Sequence, residues 1–85
     1  MPSKTVTVGS KIGLHARPAA LIAEAASSVE SAVTIATEGG APVDAGSALM
    51  IMTLGAKFGD DVVVSSDDQA SLDKVADLVE QDLDA

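Results

Sequence analysis

The sequence predicts an α+β fold: a two-layer, open-faced β-sandwich with a four-stranded antiparallel sheet and three helices on one face, in the order β-α-β-β-α-β-α. Three observations carry that reading. Four short stretches are alternating or valine-rich and are set apart by glycine and turn signals. Two longer stretches repeat apolar residues at helical spacing. Threonines 5, 7 and 34 make one sheet face polar, as expected where helices cover only the other.

The elements follow in order. Lys4-Thr5-Val6-Thr7-Val8 alternates with period two and reads as the first strand. Gly9 and Gly13 bracket a loop that ends at Leu14-His15. A helix from Ala16 to Ser27 follows, with an apolar stripe of Pro18, Leu21, Ile22, Ala25 and Val29. Pro18 fits because it stands in the first turn, where an N–H is not needed. Ala32 to Thr37 is the second strand, with Val33 and Ile35 on one face. Glu38-Gly39-Gly40 turns the chain into a short third strand, Pro42 to Ala45. Ser47 caps a brief helix that runs to Thr53 and is closed by Gly55. Asp61 to Ser65 is the fourth strand. Ser66 is expected to cap the last helix, with Asp67 and Asp68 beside its positive end. The inward stripe of that helix is Leu72, Val75, Ala76, Val79 and Leu83.

Residues 1–85 are expected to form a single domain, without linker, repeat or low-complexity segment. A chain this short buries only ~60% of its unfolded surface. There is no cysteine and one histidine, so neither a disulfide framework nor a multi-histidine metal site is expected, and no cofactor is called for. No apolar run approaches the ~20 residues of a membrane span, and no secretory h-region follows Lys4 or Lys11. A soluble, cytoplasmic, monomeric protein is the expectation.

Charge narrows the partners. Five basic residues against 13 acidic give a net of −8, which disfavours nucleic acid. One phenylalanine, with no tryptophan or tyrosine, disfavours base stacking as well. The distribution is uneven. Residues 1–28 hold Lys4, Lys11 and Arg17 against Glu24, a local +2, whereas residues 60–85 hold nine acids against Lys74, a local −8. The basic region is the one that contains the histidine. The acids of the third helix, Asp73, Asp77, Glu80, Asp82 and Asp84, read as a solvated face. Those in its last turn oppose the helix dipole, so fraying is expected near residues 82–85.

The informative stretch is Gly13-Leu14-His15-Ala16-Arg17-Pro18-Ala19-Ala20. His15 falls where a helix begins, beside first-turn N–H groups that make a ready anion site. Arg17 can fold its guanidinium onto the same anion. Histidine as a residue type is available near neutral pH as a neutral, nucleophilic imidazole. Attack on a phosphoryl donor would set the transferred group against those amides and Arg17. From the residues alone, a lone histidine there also reads as a helix cap or a solvated surface residue.

The motif Gly13 to Ala19 resembles the active-site signature of HPr, the histidine phosphocarrier of the phosphoenolpyruvate-dependent sugar phosphotransferase system. Chain length, the early histidine and the element order are similar throughout, and Asp44 to Gly55 resembles a second, looser family segment. The resemblance implies phosphorylation of His15 at Nδ1 by enzyme I and delivery to enzyme IIA components. It implies that Arg17 neutralises the phosphate, with the amides of Ala16 and Arg17 as donors. It implies a carrier acted on by other proteins and not an enzyme.

Ser47 stands where a subset of the family has a regulatory, kinase-phosphorylated serine. Gly46 precedes it, where kinase-regulated relatives usually carry lysine, and an N-cap role accounts for the serine without regulation. The brief helix is apolar all round, with Leu49, Met50, Ile51, Met52 and Leu54. Either it is fully covered, or Ala48, Leu49 and Met52 stay exposed as a docking surface. Small residues Ala16, Ala19, Ala20 and Ala23 would let partners approach the first helix closely. Glu24 and Ser27 occupy positions where many relatives carry lysine, which leaves Arg17, Lys11 and Lys57 to steer partners.

Two other functions compete. A regulatory paralogue in a nitrogen-related or signalling relay would use the same His15 chemistry. A non-catalytic anion-binding domain would use the helix terminus alone, and the motif weighs against it. A hydrolase is disfavoured because no second acid–base residue lies in the motif.

Overall fold

The computed structural model describes residues 2–29 and 31–81. The order is β1 (Ser3–Thr7), α1 (Ala16–Ser28), β2 (Val33–Thr37), β3 (Val43–Asp44), α2 (Ala48–Thr53), β4 (Asp61–Ser66) and α3 (Gln69–Glu80). The four strands form one sheet in the order β1-β4-β2-β3, with every neighbouring pair antiparallel. The α+β class, the open sheet and the three helices are as the periodicities predict. Strand order is new information, because β4 inserts between β1 and β2 through pairings distant in sequence.

The sheet has a buried and a polar face. Val6 faces Val62 across the β1–β4 ladder, and Ile35 faces Val64 across β2–β4. All four are buried, together with Val8 and Val33. Thr5, Thr7 and Thr34 lie on the other face and are exposed or half-buried. Thr7 donates its hydroxyl to the Asp61 carboxylate opposite, at 2.8 Å. The helices add Ile22, Ile51, Leu72, Val75 and Val79 to the same core. Each such side chain contributes about 1.5–3 kcal/mol on burial.

Three local expectations are corrected. The inward face of α1 is Pro18, Ala19, Ile22, Ala23 and Ala26, while Leu21 is exposed and Ala25 half-buried. Its small residues let the helix sit close to the core, so Ala19 and Ala23 are not available to partners, although Ala16 and Ala20 are exposed. The first strand ends at Thr7, one residue before Val8, whose backbone exchanges hydrogen bonds with Asp60 and Gly59 at 2.9 and 3.1 Å. Ser66 does not cap α3. It is the last residue of β4, paired with Val33, and its amide donates to the Pro2 carbonyl at 3.1 Å. The expected place of Leu83 on α3, and the fraying near residues 82–85, lie outside the described residues.

Asp68 is the cap. Its carboxylate accepts from the Ser71 hydroxyl at 2.6 Å and the Ser71 amide at 3.0 Å. Those bonds, the hydroxyl's first, hold the Asp68 carboxyl below its ordinary range. Because the folded value is depressed, the stabilisation is complete above the unfolded carboxylate range and is lost as pH falls through the folded value. Melting temperature followed from neutral to acid pH should therefore drop more steeply in the parent than in Asp68→Asn. Parallel curves would show that the cap does not depend on the charge.

Candidate functional site

The site is built at the start of α1. The chain leaves β1, turns at 10–13 with a Gly13 N–H to Ser10 carbonyl bond of 2.9 Å, and buries Leu14 in the core. Gly13 has φ +77°, and a Cβ there would lie 2.6 Å from the Ala56 carbonyl oxygen, so both conformation and space select glycine. Leu14 then donates its amide to that same carbonyl at 3.0 Å. Upstream, the Gly9 amide donates to the Val79 carbonyl at 3.0 Å, tying the loop to the end of α3. A Cβ on Gly9 would collide with the Glu80 carbonyl. The residue after Leu14 is thus fixed from two sides.

That residue is His15, the N-cap of α1, in extended backbone conformation (φ −82°, ψ −169°). Its carbonyl accepts the first helical bond, from the Ala19 amide at 2.9 Å. The amides of Ala16 and Arg17 precede that ladder, and Pro18 has none to offer. The His15 side chain makes no capping bond and is exposed. A capping serine or aspartate would spend its oxygen on those amides. Here the imidazole stands beside them unengaged, and an incoming anion has the positive helix end to itself. Arg17 is exposed one position inside the helix.

The short helix lies alongside. Ser47 caps α2 by accepting the Met50 amide at 3.3 Å, as expected from sequence. Leu54 closes it, donating to the Ile51 carbonyl at 3.1 Å, and Gly55 follows with a bond to Met52. At its start, the Gly46 carbonyl accepts from the Ser27 hydroxyl at 3.4 Å, next to the end of α1. Past its end, Ala56 pairs with Leu14 beside the start of α1. The two helices therefore run antiparallel, which puts the C-terminal end of α2 at the His15 end and Ser47 at the far end.

Ile51 is fully buried, whereas Leu49 is 68% and Met52 37% exposed, and Ala48 is half-buried. Three further exposed apolar residues were not singled out by sequence: Ile12, Met50 and Phe58. Phe58 is the only aromatic residue of the chain and sits between Gly55 and Gly59, a placement that could have flagged it. Ile12 precedes Gly13 in the histidine loop. Lys11, Arg17 and Lys57 are exposed at this end as well, Lys57 following Ala56 directly.

Two surface grooves lie between α1 and α3, away from the histidine. One is lined by Leu21, Glu24, Ala25, Ser28, Lys74 and Leu78 and contains neither His15 nor Arg17. The histidine is on open surface, outside both grooves. Among the described residues no cluster of three or more His, Cys, Asp or Glu side chains could hold a metal, and no helix is long and apolar enough to cross a membrane.

Known proteins share both sequence and shape with this chain. The family model for the PTS HPr component phosphorylation site matches residues 2–81. Phosphocarrier protein HPr of Streptomyces coelicolor is 41% identical over an 87-residue alignment covering 99% of this chain and 94% of that protein. The crystal structure of HPr-C-His from Thermoanaerobacter tengcongensis superposes with a TM-score of 0.88 at 33% identity, covering 100% of this chain and 98% of that one. Phosphocarrier protein HPr from Bacillus anthracis str. Ames gives a TM-score of 0.84 at 31% identity, covering 92% and 95% respectively.

Proposed function

The chain belongs to the HPr family of phosphocarriers of the phosphotransferase system, and on that premise we propose that His15 accepts a phosphoryl group from phospho-enzyme I and passes it to an enzyme IIA component of sugar transport. The observation that carries this is the N-cap without a cap. An exposed imidazole begins a helix whose first amides it leaves free.

The chemistry follows from that placement. With its proton on Nε2, the imidazole attacks phosphorus through the Nδ1 lone pair. The P–N bond to Nδ1 forms as the bond from phosphorus to its donor atom on enzyme I breaks. The phosphoryl oxygens then meet the amides of Ala16 and Arg17 and the Arg17 guanidinium, which balance charge that is present in the transition state. Delivery to enzyme IIA is the same displacement in reverse, and His15 returns to its starting state. The protein is a substrate of its partners and acts without a cofactor. Docking is carried by Ala16, Ala20, Ala48, Leu49 and Met52, with Lys11, Arg17 and Lys57 steering. Ser47 acts as the cap of α2.

The test is direct. Protein incubated with enzyme I and labelled phosphoenolpyruvate should take up one label that maps to His15 and is acid-labile but alkali-stable, as a phosphoramidate is. Label on a serine, or none, would overturn the assignment. Arg17→Ala should slow transfer from phospho-enzyme I about ten- to a hundredfold, the value of a charge-assisted contact to phosphate. Its effect on docking of the unphosphorylated protein should be smaller. Equal transfer rates in variant and parent would reduce Arg17 to a surface charge.

A further inference from the structure

Among the described residues the readily oxidised side chains stand together on one helix. The chain has no cysteine, tryptophan or tyrosine, and its three methionines are Met1, Met50 and Met52. Met50 and Met52 are both on α2, and both are exposed. At ~100° per residue they flank Leu49 on the exposed arc of the helix, opposite buried Ile51. No thiol elsewhere in the chain competes for an oxidant.

We propose that Met50 and Met52 are an oxidation site that controls partner docking, with a hydroperoxide as the oxidant. The proposal rests on the reading of α2 as a docking surface and adds its regulation. The thioether sulfur attacks the terminal oxygen of the hydroperoxide. An S–O bond forms and the O–O bond breaks. The sulfur loses two electrons, and the leaving oxygen takes up a proton to become water or an alcohol. Each methionine becomes a sulfoxide, which a thiol-dependent sulfoxide reductase returns to the thioether.

The geometry separates folding from binding. In the free protein both side chains reach solvent, so the added oxygens can be hydrated, and α2 keeps the Ser47 cap, the Thr53 hydroxyl bond to the Met50 carbonyl at 2.6 Å, and the Ile51 anchor. Docking through the apolar Leu49 patch would bury strong acceptors, and an acceptor buried without a donor weakens binding. Oxidation therefore closes the surface without unfolding the protein.

The experiment treats the whole protein with hydrogen peroxide, maps sulfoxides by peptide mass, and follows transfer from phospho-enzyme I. KM should rise roughly tenfold, as expected for an acceptor buried without a partner, with melting unchanged. Methionine sulfoxide reductases should restore it. A Met50→Leu/Met52→Leu protein, compared with its own untreated form, should show no such rise. Sulfoxides mapped at both positions with KM unchanged, while Leu49→Ser raises KM, would overturn the oxidation site and leave the docking surface standing. If Leu49→Ser also has no effect, the docking reading falls with it. An equal rise in the leucine variant after peroxide would place the sensitive group elsewhere.

Discussion

His15→Ala should abolish phosphoryl uptake from phosphoenolpyruvate and enzyme I while leaving the melting temperature nearly unchanged. The side chain is exposed and caps nothing, so its removal belongs to the surface class of substitutions, within ~0.5 kcal/mol. The chemistry has no such tolerance. Ala16 and Arg17 offer an anion N–H donors but no nucleophile, and this is the chain's only histidine. The expected result is therefore a complete loss of acid-labile label in a folded protein. Retained label would sink the carrier reading at this residue. A variant that loses both label and fold would instead show that His15 holds the start of α1, against its lack of a capping bond. His15→Asn, which can cap the helix but cannot carry the phosphoramidate, keeps the test decisive in that case.

What sequence could and could not reveal follows one physical divide. Features set within a few residues were readable: period-two valines, the Ser47 cap, and a histidine, arginine and proline packed into one helix start. Features set by distant contacts were not. The apolar count of α1 favoured Leu21 over Ala23 and Ala26, because pattern rewards bulk. Packing rewarded small side chains that let the helix sit close, and it put Leu21 outside. Ser66, Asp67 and Asp68 are three successive cap formers, and sequence alone cannot choose among them. The β2–β4 ladder decides by extending to Ser66, so the helix starts later, at Gln69, with Asp68 as its cap. Likewise, an exposed Phe58 is a tertiary fact. Nothing local distinguishes it from a core residue except the glycines on either side.

The helix α2 puts the fold and the function into direct competition within six residues, and a pair of variants separates them. Ile51 is fully buried in the core cluster, so Ile51→Ala should cost about 2–5 kcal/mol in lost burial and residual cavity. For a domain of this size that lowers the melting temperature by roughly 10 °C or more. Leu49 and Met52 face outward one turn apart, on the side opposite Ile51. Changing both to serine should shift stability by no more than ~0.5 kcal/mol each. It should weaken binding to enzyme I by about tenfold or more, because apolar anchors at an interface centre carry much of its affinity. The Ile51→Ala protein, measured well below its melting temperature, should bind as the parent does. The reversed pattern, a large loss of melting temperature in the double serine variant with affinity per folded molecule unchanged, would return Leu49 and Met52 to a structural role. Partner contact would then fall to the residues exposed around the histidine loop, Ile12, Ala16 and Ala20, and to Phe58 across the Leu14–Ala56 hydrogen bond that joins the two loops.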